Sequence, residues 1–115
     1  MTLGEVIDFV DGLKPNAFTP AQKTQWLNEC EGMVQTEVLL LASPEILSYE
    51  AEADRDTPLL VLPPHDKLYR SYLMAMIDFA NGEYERYQNA MQLFNAQFSE
   101  FSRWFARTYR PADVR

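Results

Sequence analysis

Apolar residues Leu3, Val6, Ile7 and Val10 recur at helical spacing near the start of the chain. Thr2 followed by Glu5 has the spacing of a capping box, in which each side chain satisfies a backbone N–H left open by the first helical turn. A first short helix over residues 2–12 is expected, ended by Gly12 and Pro15. A stronger start signal follows in Thr19-Pro20-Ala21-Gln22, with Thr as N-cap, Pro at the first helical position and Gln at the third. Leu27, Cys30, Val34, Val38 and Leu41 form the apolar stripe of a second helix, 20–42. Gly32 lies inside it at a cost of about 1 kcal/mol. Pro44 is expected to stop this helix, because the residue before a proline disfavours the α conformation.

Residues 43–64 change character. Ser43-Pro44 opens the segment and Pro63-Pro64 closes it, with an acidic stretch between Glu50 and Asp56 and then the apolar run Leu59-Leu60-Val61-Leu62. The run suits one short extended segment. A lone strand cannot satisfy its own ladder, so it must pack on helices, pair with residues upstream or pair with another chain. About 20 residues without regular structure is long for a compact domain and points to function or a partner.

From His65 to Tyr109 the pattern is helical throughout, with apolar residues at 69, 73, 76, 80, 84, 87, 91, 94, 98, 101 and 105, a spacing close to a coiled-coil seam. Asn81-Gly82 is the one breaker. A single helix of about 45 residues would be roughly 67 Å long, whereas a compact domain of this length has a radius of gyration of about 13 Å. A break near 81–83 is therefore favoured over one bent helix, with Gly82 as the C′ residue. The expected architecture is all-α and single-domain over 1–115, with helices at 2–12, 20–42, 65–81 and 83–109.

The 115 residues are 47% hydrophobic and 23% charged, an ordinary globular composition. Net charge is −7, which disfavours nucleic acid as the primary ligand. The charge is unevenly spread: residues 1–66 hold 12 acids and three bases, net −9, and residues 67–115 hold five acids and seven bases, net +2. The chain is an electrostatic dipole along its sequence. Fully apolar runs such as Val38–Ala42 are far too short for a membrane span. No basic region precedes Glu5, Asp8 and Asp11, so no secretory signal is expected. Cys30 is the single cysteine, which excludes an internal disulfide and a cysteine zinc cage.

Candidate chemistry is sparse. His65 is the lone histidine, so no Ser-His-Asp or Cys-His pair can be built without it; it reads as a surface residue at a helix start. Glu50, Glu52, Asp54 and Asp56 alternate as in a calcium loop, but the required glycine is missing, so a solvated acidic loop is expected. There is no Glu-x-x-His pair for a di-metal bundle and no glycine-rich phosphate loop. Cys30 lies on an apolar stripe and reads as a buried structural thiol. An enzyme reading fails for want of a base, nucleophile or metal cluster, and no cofactor or metal is expected.

The aromatic residues are more informative. Of 15, 11 lie between Tyr69 and Tyr109. On a wheel centred on Phe94, residues Tyr87, Phe98, Phe101 and Phe105 fall within about 40°, with Trp104 and Leu93 to one side and Tyr84, Met91 and Tyr109 to the other. Such a face is wider than one packing seam needs, and its flanks suggest a partner surface. Arg103, Arg107 and Arg110 lie on the back of the wheel; cations there complement the helix dipole, or meet a neighbour's acidic segment 45–66 in a head-to-tail contact that closes a ring. The candidate interface is therefore Trp104, Phe105, Tyr109, Arg103, Arg107 and Arg110, with Leu59, Leu60, Val61 and Leu62.

Three runs carry a resemblance: Asp56-Thr-Pro-Leu-Leu-Val-Leu-Pro-Pro-His-Asp-Lys-Leu-Tyr69, Tyr72-Leu-Met-Ala-Met-Ile-Asp-Phe-Ala-Asn-Gly-Glu-Tyr-Glu-Arg-Tyr87 and Met91-Gln-Leu-Phe-Asn95, with Thr2 to Trp26 fitting the same pattern. The chain resembles small proteins of tailed-phage and prophage structural modules, and among them the head–tail connector, or adaptor, family. The resemblance implies a small α-helical subunit that forms a ring beneath the portal, and no catalytic motif. Its implied working parts are the ring-forming helical face from Phe94 to Tyr109, the loop 43–64 and the tail from Arg110 to Arg115, which is short for deep insertion into a portal. The implied partners are other copies of the chain and the portal and tail-completion proteins, with DNA at most passing through an assembled channel. The implied places are the bacterial host cytoplasm during assembly and the virion, with no membrane role. The loop is expected to be mobile in the monomer and ordered in the ring. The alternative is a small acidic helical protein-binding module or regulator, such as a nucleic-acid mimic, which should present a continuous acidic face on folded helices.

Overall fold

A computed structural model describes residues 1–41, 46–50 and 53–108. Its elements are helices α1 (Leu3–Leu13), α2 (Pro20–Met33), a π-helical turn (Val34–Val38), α3 (Lys67–Ala80) and α4 (Tyr84–Thr108). The fold is all-α; the described residues contain no strand, only one isolated antiparallel bridge between Thr2 and Pro58.

Both start signals form as expected. Glu5 N–H donates to Thr2 Oγ1 and Thr2 N–H to Glu5 Oε1; Gln22 N–H donates to Thr19 Oγ1 and Thr19 N–H to Gln22 Oε1. The end of the second helix differs from expectation. The α-helix stops at Met33 and widens into the π turn, which ends at Val38; just beyond it Leu40 has a left-handed φ of 56°. Leu39 N–H bonds Val34 O and Leu41 N–H bonds Gln35 O, longer-range closures than an α-helix makes. The stop is thus six residues before Pro44, and Pro44 itself lies outside the described residues. At the other break the expectation holds. Gly82 has φ 76° and its N–H closes on Phe79 O, so α3 and α4 form an antiparallel hairpin.

α3 is the central element and packs on α1, α2 and α4. Leu68, Tyr69, Leu73 and Ile77 are fully buried; α1 supplies Leu3, Val6, Ile7 and Val10, and α2 with its π turn supplies Leu27, Cys30 and Val34. α4 buries only Phe94 and Phe101 completely, and so lies at the edge of the core. Buried charged side chains have partners: Lys23 Nζ holds both Asp11 carboxylate oxygens at 2.9 Å, and Asp78 lies 2.7 Å from Lys14 Nζ. Burying either charge alone would be costly.

The segment before α3 is extended but pairs with no strand. Along Leu59–Leu62, side chains alternate as in a strand: Leu59 and Val61 point into the core, Leu60 and Leu62 outward. Its backbone is held by the start of α1, with Leu3 N–H to Thr57 O, Gly4 N–H to Arg55 O and Leu59 N–H to Met1 O. A methyl added at Gly4 would lie 2.9 Å from Arg55 Cβ, so glycine permits this approach.

Candidate functional site

Three polar residues of α2 and its π turn, Asn28, Glu31 and Gln35, stand at helical spacing on one face and hold the preceding part of that segment. Asn28 takes both backbone groups of Tyr49: its Oδ1 accepts from Tyr49 N–H and its amide donates to Tyr49 O. Gln35 does the same for Leu47, accepting its N–H at 2.7 Å and donating to its O at 3.0 Å. Between them the fully buried Glu31 accepts from Tyr49 Oη at 2.7 Å, from Leu60 N–H at 3.0 Å and from Tyr69 Oη. Tyr69 Oη in turn accepts Val61 N–H at 2.8 Å. A helix face thus acts as the missing ladder partner. Burial, reinforced by the Glu31 carboxylate, pushes the Tyr49 and Tyr69 phenols well above their usual pKa. Burial also raises the neighbouring Cys30 thiol well above its usual value, with Glu31 adding to the effect, which favours the neutral thiol at this core position.

The described parts of the loop 43–64, residues 46–50 and 53–64, are tied to the rest of the chain by backbone and side-chain hydrogen bonds. Glu45 and Glu52 lie outside the described residues. Of the acidic groups described, Asp54 Oδ1 accepts Asp56 N–H, and Asp66 pairs with the Met1 amino group at 3.0 Å.

The clasp positions an apolar groove at one end of the bundle. The outward side of the extended segment (Leu60, Leu62, Pro63), the π turn (Val34, Leu39) and the last turns of α4 (Phe101, Trp104, Phe105) enclose about 270 Å³. His65 forms part of the wall, with its ring 5.0 Å from Trp104 and 5.7 Å from Phe101. It is half-buried among aromatics, not the surface residue its position suggested. Leu62 is 69% exposed on the rim, and Leu40, next in chain to Leu39, is 79% exposed.

Of the ten expected interface residues, the groove brings together Leu60, Leu62, Trp104 and Phe105, with Val61 at its floor. Leu59 and Val61 are corrected from surface to core: strand-like alternation turns them inward, where they are 3% and 1% exposed. Trp104 and Phe105 are half-buried against the core rather than standing out from it. Arg103 and Arg107 are exposed on α4 beside Trp104. Tyr109 and Arg110 lie outside the described residues. Sequence reasoning missed Asn28, Glu31 and Gln35 as a unit, and missed Leu39 and Leu40; the only available signal was the i, i+3, i+7 spacing of the polar trio. Among the described residues no helix is long and apolar enough to cross a membrane. No protein-family model, curated protein or solved structure matches the chain.

Proposed function

We propose that this chain is a structural subunit of a tailed-phage virion, a non-catalytic head–tail connector that assembles with its own copies and joins portal to tail. The observation that carries the reading is the groove. It is apolar, it is built from three separate elements, and Leu60 and Leu62 stand exposed at its edge. A contiguous apolar surface of this kind marks a protein contact. The sequence resemblance gives that contact its context, and the clasp on α2 gives the groove a rigid wall.

The alternative of an acidic mimic is less well supported. Asp8 pairs with Arg55, Asp11 with Lys23, Asp66 with Met1 and Asp78 with Lys14, while Glu31 is buried. These acids serve the fold instead of forming a continuous outward face.

The test is reconstitution. The purified chain, mixed with a tailed-phage portal protein, is expected to bind and to give ring-shaped particles in negative-stain images. A chain that neither assembles nor binds the portal overturns the proposal.

A further inference from the structure

The groove has a counterpart at the other end of the same helix. At the α3–α4 turn, Phe79 and Tyr84 are 52% and 60% exposed, and the Phe79 ring contacts those of Tyr84 at 5.7 Å and Tyr87 at 5.1 Å. The turn is fixed by Asn81 N–H on Ile77 O and Glu83 N–H on Asp78 O, so these rings form a defined convex tip. From Tyr84 to Trp104 the helix rises about 30 Å, and the longest dimension of the molecule is 46 Å. Tip and groove therefore stand near opposite ends.

We infer that the aromatic tip of one copy docks in the apolar groove of the next. Convex aromatic surface meets a concave apolar wall with room for an aromatic side chain. Two grooves facing each other would fill neither. The rims are complementary in charge as well. Beside the tip lie Glu83, Glu85 and Arg86, with Arg86 paired to Glu83 at 3.2 Å, leaving one net negative charge. Beside Trp104 lie Arg103, Arg107 and Glu100, leaving one net positive charge. Opposite charges at a rim steer encounter and fix register. The contact is heterologous, since it uses two different patches, and repeats into a closed ring or an open filament according to the angle between copies. This inference rests on the self-assembly part of the proposed function and specifies the surfaces that meet.

The experiment uses two full-length variants, Asn81→Cys at the tip and Leu62→Cys on the groove rim, which leave Phe79, Tyr84 and Trp104 in place. Cys30 is buried and stays as it is. Under mild oxidation the mixed variants are expected to form a disulfide-linked dimer that neither gives alone, and adding Leu60→Glu to the Leu62→Cys copy is expected to abolish it with the helical circular-dichroism signal unchanged. Light scattering on the same samples separates the possible failures. Assemblies that form without the mixed cross-link overturn the tip-to-groove contact and leave self-assembly standing. A chain that stays monomeric at every concentration overturns both.

Discussion

Glu31 is the residue on which the clasp turns. Its two carboxylate oxygens serve three donors from three parts of the chain, Tyr49, Leu60 and Tyr69, with no exposure to water. Removing the acceptor leaves buried donors unpaired, so Glu31→Ala is expected to lower unfolding free energy by about 2–4 kcal/mol, against about 1 kcal/mol for Tyr49→Phe, in urea titrations. The tyrosines add a pH dependence with a definite sign. Their phenols are raised in the fold above an unfolded value near 10. The stability that this contributes is complete below about pH 10 and is lost as pH rises through the folded values, because only the unfolded chain then ionises. Phenolate absorbance from Tyr49 and Tyr69 is therefore expected to appear together with alkaline unfolding. Titration of Tyr49 and Tyr69 near pH 10 in a still-folded protein would contradict the burial described.

At the scale of elements, the extended segment depends on side chains for its pairing. Asn28→Ala and Gln35→Ala each remove a two-way bond to one backbone residue. Hydrogen exchange is expected to quicken at Tyr49 N–H in the first variant and at Leu47 N–H in the second, while α3 amides keep their protection. The ends of the helices offer a paired test. Leu40 adopts a left-handed φ that costs a residue with a Cβ about 1 kcal/mol, and Gly82 adopts a similar φ without that cost. Leu40→Gly is expected to raise the thermal midpoint and Gly82→Ala to lower it.

These elements also mark how far the sequence could be read. Thr2, Thr19 and Gly82 act locally, through bonds and dihedral angles within a few residues, and their positions announced the helix starts and the hairpin. The π turn did not announce itself, because it is closed by bonds from Leu39 and Leu41 that no local pattern demands. Nor did the clasp: polar residues on a helix ordinarily face water, and Asn28, Glu31 and Gln35 became interior only because a distant segment folded over them. Of the groove, Trp104 was legible from the excess width of the aromatic face. Its other wall depended on the alternation of Leu59 to Leu62, which a uniformly apolar run conceals.

At the scale of the molecule, one long edge helix links an aromatic tip to an apolar groove, and the residues that shape both are held by the core behind them. The uneven charge along the sequence takes a more specific form here: Asp8, Asp11 and Asp66 of the acidic first half pair internally, and Arg103 and Arg107 are left exposed at the groove end of α4. The central claim is that this end of the molecule exists to meet another protein surface, first of all that of its own copies. The most direct test is the mass of the full chain in solution by sedimentation equilibrium over a wide concentration range, compared with that of the Leu60→Glu, Leu62→Glu double variant. The account predicts masses above the 13.3 kDa monomer that fall to the monomer value in the double variant, with secondary structure unchanged. A chain that is monomeric throughout, or assemblies indifferent to both substitutions, would contradict it.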